Sequence, residues 1–368
     1  MAKLPTALPP DPTLEAIDAQ IVARANSEAP RPYLGMSAIG EDCERRLWYS
    51  FRLAVRATFP AATLRMFEDG HRCEELMAER LRTVPGLKLY THDPSTGRQF
   101  GFSALGGHYR GNIDGAVQGL LQAPKAWHCW EHKASEKADA LEKAKATHGE
   151  KAALAEWNAT YYAQAIAYMH YSGMDRHYLT CDTPGGRRTV SVRTNADPAA
   201  AERLEAKAAR IIQAPEPLPR LSEDAAFWKC KGCPARPQCH EGRMSVVSCR
   251  TCVHATPEMD GDGRWSCALR KQDLSWAAQQ AACEGHRFIP ALMPGVVVRD
   301  ASEQENWIEY EAPDGFVFRN GERAEGSYGS RELAALGLGA LRDPDLAAIR
   351  ARYLPDAQWV GGDEQEAA

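Results

Sequence analysis

The sequence predicts an α/β chain: a central mixed β-sheet flanked by helices, followed by a cysteine-rich metal-binding module and a small α+β tail. Three observations carry that expectation. A strongly periodic helical stretch over 61–84 leads into short alternating runs over 87–135, and more helical sequence precedes a second pair of alternating runs. Eight of the eleven cysteines fall into two groups with metal-ligand spacing. After residue 290 the pattern changes again, to short strand-like runs and then helical sequence.

The 368 residues allow two or three domains. A hydrophobic content of 44% and a charged content of 25% are ordinary for a globular chain. The net charge of −5 and the pI of about 6.2 do not announce a nucleic-acid partner, so any such contact must come from a local patch. No apolar run approaches the length of a membrane span. The opening MAKLPTALPPDPTLEAIDAQ lacks the apolar core of a signal peptide, so the chain is expected to be cytoplasmic.

In chain order, residues 1–34 read as a Pro-rich arm and a helix near 14–27. Ser37 is the expected cap of a helix carrying Cys43, Arg45, Arg46, Trp48 and Tyr49. The periodic helix follows, with Gly70-His71 in its middle. Alternating runs broken by Gly, Pro and Asp read as strands, with Gly106-Gly107 and Gly111 suited to tight turns or close backbone approach. The Ala/Lys/Glu-rich stretch after Ser135 reads as an exposed helix, its lysines on a solvated face. A more apolar helix follows, over about 158–171, with Gln164 and Tyr168 one turn apart and Gly173 as its cap. RHYLTCDT and RRTVSVRT form a hairpin around PGG, and a long helix spans 197–213. This places one domain over 35–245, a cysteine module over 246–290, and an α+β region over 291–368 with a disordered acidic end.

The chemistry concentrates in RGNIDGAV and WHCWEHKAS. Asp114 and Glu131 on neighbouring strands can share a divalent cation, and Lys133 projects to the same side as Glu131 because strand side chains alternate faces. Such a cation polarises a phosphate and acidifies a water that the lysine can hold in line. Glu-x-Lys alone is a common solvated tripeptide, and its setting gives it weight. His71, on the preceding helix, is positioned to complete a metal site.

Cys230-x2-Cys233-x5-Cys239 is one ligand short of a tetrahedral or cluster site, and Cys43 is the natural fourth. Thiolates suit zinc and iron–sulfur clusters alike. Cys249-x2-Cys252 with Cys267 and Cys283 is expected to hold a structural Zn2+, with His254 and His286 as spare candidates and an iron–sulfur site as runner-up. Cys73, Cys129 and Cys181 are left over and read as small buried residues.

GHRCEEL, RGNIDGAV, WEHKAS and the Gln164-x3-Tyr168 pair, in that order, resemble the successive motifs of the RecB-type branch of the PD-(D/E)XK nuclease superfamily. The Cys43…Cys230-x2-Cys233-x5-Cys239 pattern is similar to the split iron–sulfur ligand set of AddB and the CRISPR-associated RecB-like exonucleases. The resemblance covers about residues 35–240, and YYAQAIAYMHYSGM adds a bacteriophage or prophage flavour. It implies a restriction-endonuclease-like core acting as a Mg2+- or Mn2+-dependent DNA exonuclease in phage recombination or repair. It also implies a role for each motif residue. His71, Asp114, Glu131 and the backbone carbonyl of His132 would bind the metal. Lys133 would position or activate the attacking water, Gln164 and Tyr168 would line the site and contact DNA, and the four cysteines would hold a [4Fe–4S] cluster. Implied partners are DNA single strands or duplex ends and a phage recombination or single-strand-binding protein. The charged connection between Lys133 and Gln164 departs from the family pattern and reads as a helical lid, and the region after about 245 lies outside it. The rival reading is a catalytically silent, metal-stapled DNA-binding or partner-recruiting protein on the same fold.

Overall fold

The computed structural model describes residues 11–353. Most of the expected N-terminal arm and the acidic GGDEQEAA end lie outside the described residues. Helix α1 (Pro12–Ser27) starts where the Asp11 carboxylate accepts from the Thr13 and Leu14 amides. Strand β1 (Leu34–Gly35) is followed by a 3-10 turn over Met36–Ala38, so Ser37 caps no α-helix. The expected helix, α2 (Glu44–Phe51), begins later, and Cys43 caps it by accepting from the Arg46 amide at 3.4 Å. The reason lies across the chain. A Cβ on Gly40 would stand 2.4 Å from the Thr160 Cα, so the backbone is pinned there before a helix can begin.

Next come α3 (Ala61–Arg82), β2 (Lys88–Tyr90), β3 (Gly101–Ala104), β4 (Tyr109–Asn112), β5 (Gly115–Gln118) and β6 (His128–Ala134). Three helices, α4 (Ala138–His148), α5 (Ala153–Trp157) and α6 (Ala159–Ser172), then lead to β7 (Arg176–Asp182), β8 (Thr189–Asn195) and α7 (Pro198–Gln213). The main sheet has the order β2-β5-β6-β7-β8 and is mixed: β6 and β7 run parallel and the other pairs are antiparallel. A parallel pair needs a crossover, which the three helices supply. The second sheet has the order β1-β4-β3. The architecture is thus mixed α/β, with sheets flanked by helices.

The connection after Lys133 packs on the sheet through one side, as a fixed layer rather than a lid, while its outer side, with Lys137, Lys143 and Lys151, is exposed as the sequence predicts. Ala138 and Leu141 of α4 and Ala153 and Leu154 of α5 are fully buried. Lys145 donates to the Ser191 carbonyl at 2.6 Å and Lys151 to the Asn195 side chain at 2.8 Å, tying this layer to β8. The buried face is formed by Ala138, Leu141, Ala153 and Leu154, whereas Ala140, Ala146, Ala152 and Ala155 stay exposed.

Short helices α8 (Trp228–Lys231) and α9 (Arg236–His240) carry the first cysteine group. Strands β9 (Ala255–Pro257), β10 (Trp265–Cys267) and β11 (Gln272–Asp273) form a small antiparallel sheet, followed by α10 (Trp276–Gln280). Strands β12 (Val297–Ser302), β13 (Trp307–Glu311), β14 (Val317–Asn320) and β15 (Ser327–Tyr328) form the last sheet, ahead of α11 (Ser330–Ala340) and α12 (Pro344–Tyr353). The break between the last two helices falls at Asp343-Pro344, as the sequence predicts.

One hydrophobic cluster runs from Leu34 to Leu341, across residues 245 and 290. Arg250 anchors this continuity. Its guanidinium is fully buried and donates to the carbonyls of Phe51 and Pro32, each at 2.7 Å, and to Gln279 at 2.6 Å. It also lies 4.5 Å from the Trp265 ring centroid. Gly106 and Gly107, both with positive φ, meet the 259–263 backbone so closely that a Cβ on Gly107 would stand 2.4 Å from the Gly263 nitrogen. Among the described residues no helix is long and apolar enough to cross a membrane.

Candidate active site

The main sheet brings Asp114 and the Glu131-His132-Lys133 segment together. Gly115 pairs with Trp130 across β5 and β6, so Asp114 stands beside Glu131, and its Oδ2 accepts from the His132 amide at 2.8 Å. Glu131 and Lys133 share one face of β6, and Lys133 Nζ donates to Glu131 Oε1 at 2.5 Å. The His132 ring turns to the opposite face, with Nδ1 3.0 Å from Thr180 Oγ1. Only the backbone of His132 therefore remains on the Glu131 side.

Behind Glu131 stands α6. Gln164 donates to Glu131 Oε1 at 2.7 Å and lies 3.2 Å from the Tyr168 hydroxyl. Both residues are buried and hold Glu131 from within. The fit requires Gly111: a Cβ there would lie 2.7 Å from the Tyr168 ring and 2.8 Å from Met36.

Helix α3 contributes a residue that the sequence reading passed over. His71 is exposed. Glu74, one turn later, is partly buried and interacts electrostatically with Glu131, Asp114 and Lys133. The signal was present in the sequence. Glu74 lies four residues before Ala78 and seven before Leu81, within the buried stripe of α3, whereas His71 is at its margin.

Three carboxyl groups therefore crowd around one lysine. Burial, then the neighbouring Asp114 charge, pushes Glu131 up to about 7. Burial raises Asp114 to about 6, with Lys133 opposing and Glu74 adding to the rise. Glu74 is raised by burial and by Glu131. Burial alone would lower Lys133, but Glu131 and Asp114 outweigh it and hold it above its ordinary value. Glu131 Oε2 is buried without a hydrogen-bond partner. An orphaned carboxylate oxygen beside a second carboxyl is a poor arrangement unless a cation completes it, so these residues fit a divalent metal.

The two cysteine groups also gather in space. The thiols of Cys230 and Cys233 each feel Cys43 and Cys239, and burial raises both. Cys249, Cys252, Cys267 and Cys283 line one small pocket. There burial, then its three companion thiols, pushes Cys249 up to about 11. Cys252 Sγ accepts from the Arg287 amide at 3.5 Å, a contact that suits a thiolate. The spare histidines are engaged elsewhere: His254 Nε2 lies 2.8 Å from Asn306 Oδ1, and His286 Nε2 lies 3.2 Å from Thr251 Oγ1. All eleven cysteines are free thiols, and Cys73, Cys129 and Cys181 are buried as expected. Among the described residues, no group of three or more His, Cys, Asp or Glu side chains is already arranged as a metal site. The donor chemistry of both thiol groups still fits a soft metal.

No family model matches this sequence, and no curated protein matches it. Among solved structures, SSO0001 aligns with a TM-score of 0.36 at 14% identity, over 62% of this chain and 96% of that one. An alkaline exonuclease (LHK-Exo) from Laribacter hongkongensis aligns with a TM-score of 0.33 at 12% identity, over 52% of this chain and 90% of that one. A phage-related exonuclease from Haemophilus somnus 129PT aligns with a TM-score of 0.28 at 13% identity, over 40% and 68%.

Proposed function

We propose that the chain is a divalent-metal-dependent deoxyribonuclease that hydrolyses phosphodiester bonds, acting as an exonuclease. The observation that carries this reading is the buried, partnerless Oε2 of Glu131, set beside Asp114 with Lys133 on the other oxygen. Asp114 and Glu131 would hold Mg2+ or Mn2+, with Glu74 on the same side. When bound, the cation would act as a Lewis acid toward a phosphate oxygen.

The chain's own residues do the rest. Lys133 remains protonated at neutral pH because Glu131 and Asp114 hold its proton. It therefore acts by orienting water toward phosphorus and offsetting developing negative charge, and does not act as a base. Water adds to phosphorus and gives up a proton to solvent, the bond to the leaving 3′ or 5′ oxygen breaks, and that oxygen takes up a proton from solvent to leave as a hydroxyl. Gln164, braced by Tyr168, fixes the Glu131 rotamer. Cys43, Cys230, Cys233 and Cys239 are proposed to hold a [4Fe–4S] cluster that ties α2 to the segment after α7. Cys249, Cys252, Cys267 and Cys283 are proposed to hold a structural Zn2+.

The reading is tested by incubating the purified chain with end-labelled linear DNA and with its circular form, in EDTA, Mg2+ or Mn2+. Loss of label from the linear form alone, only with metal, is expected. Failure to cut any DNA with either cation would leave the silent DNA-binding reading in its place.

A further inference from the structure

The carboxylate site does not itself say which form of DNA it takes. We propose that a groove on the same face of the main sheet stacks an unpaired base, making single-stranded DNA the substrate class; this rests on the nuclease reading above. The groove encloses about 620 Å3. Its walls are aromatic: Tyr90 at the end of β2, Trp127 just before β6 and Phe100 just before β3. The Tyr90 and Trp127 rings lie 6.1 Å apart, tilted by 36°, and are 42% and 39% exposed. Two large rings held against each other in solvent form a preassembled stacking surface, open to a third ring.

Strand register connects this surface to the site. Tyr90 pairs with Ala116, which lines the groove floor. Ala116 in turn pairs with Cys129, which shares a face of β6 with Glu131 two residues on, about 7 Å along the strand. Helix α6 covers this face over Gln164 and Tyr168 but stops at Gly173, whose left-handed φ of 70° turns the chain away. The sheet is therefore uncovered just beyond the carboxylates, and Gly173 and Met174 form the groove's rim.

The chemistry selects the occupant. A nucleobase offers a flat π face of any sequence, and aromatic platforms bind it with little sequence preference. Bases inside a duplex are stacked on their neighbours and offer no free face. Among the lining residues Arg176 supplies a cation for the attached phosphate, and Asp175 is the one carboxylate.

The test uses the full chain in EDTA, so that binding is read apart from cleavage. The probes are a short fluorescein-labelled oligothymidylate and a blunt duplex of matched length. Trp127→Ala should weaken oligothymidylate binding roughly five- to 150-fold, the range for losing one base-stacking contact. Trp127→Phe should stay close to wild type, Arg176→Gln should lower the salt dependence, and duplex binding should not change. With the cation restored, Trp127→Ala should raise KM for single strands and leave kcat in place. The proposal is overturned if Trp127→Ala and Tyr90→Ala, melting like wild type, bind the oligothymidylate as tightly. It is equally overturned if they lose single-strand and duplex binding in the same proportion. Trp127-dependent binding without cleavage under any metal would sink the nuclease reading and leave the platform; metal-dependent cleavage with Trp127-independent binding would do the reverse.

Discussion

Replacing Glu131 by Gln should make the metal-free protein more stable at pH 8, although Glu131 accepts two hydrogen bonds. Its carboxyl is raised from an ordinary 4.5 to about 7. A raised acid binds its proton more tightly in the folded than in the unfolded state, so folding stability falls as pH rises from about 4.5 to 7. The shift corresponds to roughly 3 kcal/mol once both states are ionised. The glutamine side chain is nearly isosteric with the protonated acid and escapes that loss. For a chain of this length a gain of roughly 3 kcal/mol moves Tm by about 4 °C. Thermal melts in EDTA at pH 5 and pH 8 should therefore show wild type and E131Q alike at the lower pH, and E131Q higher at the upper. Added Mn2+ should raise wild type at pH 8 and leave E131Q unmoved, because bound cation stabilises only the state that can hold it. A variant less stable than wild type at pH 8 would mean that Glu131 is an ordinary structural ion pair, and the argument for a cation would fail with it.

Four further outcomes follow from the same geometry. Glu74→Gln should weaken Mn2+ binding, measured by calorimetry, while His71→Ala should leave it unchanged; the opposite result would return the α3 role to the histidine. Turnover should rise with pH through about 6 and about 7, as Asp114 and Glu131 release the protons that compete with the cation, and a profile flat over that range would contradict this. Gly111→Ala should lower stability by about 1–3 kcal/mol, because the added methyl meets Tyr168 and Met36, and should reduce kcat by displacing Gln164. Cys230→Ser should remove bound iron and its visible absorbance, and Cys252→Ser should remove zinc, each read by elemental analysis.

Much of the core was legible because its signals are local. Alternation located the strand-forming runs from Lys88 to Ala134 and the PGG turn the β7–β8 hairpin, but RGNIDGAV divides between two sheets, so Asp114 stands in the bend between β4 and β5 beside Glu131 rather than on a strand. What escaped depends on distant partners. The start of α2 is set by Gly40 against Thr160, so Ser37, a good local cap, goes unused. The choice between His71 and Glu74 depends on which side of α3 packs on the sheet. Alanine is equally good on an exposed face and a buried one, so only packing separates Ala138, which is buried, from Ala140 and Ala146, which are exposed. The seating of Arg250 among Phe51, Trp265 and Trp276 joins segments some two hundred residues apart, beyond the reach of any periodicity.

The central claim is that Asp114 and Glu131 hold a cation for phosphodiester hydrolysis while Lys133 serves the reaction. End-labelled single-stranded DNA with Mn2+, digested by wild type, Asp114→Ala and Lys133→Ala, tests it most directly when paired with Mn2+ binding to each protein. Wild type should bind and cut, Lys133→Ala should bind without cutting, and Asp114→Ala should do neither. Equal digestion by all three would place the chemistry elsewhere in the chain.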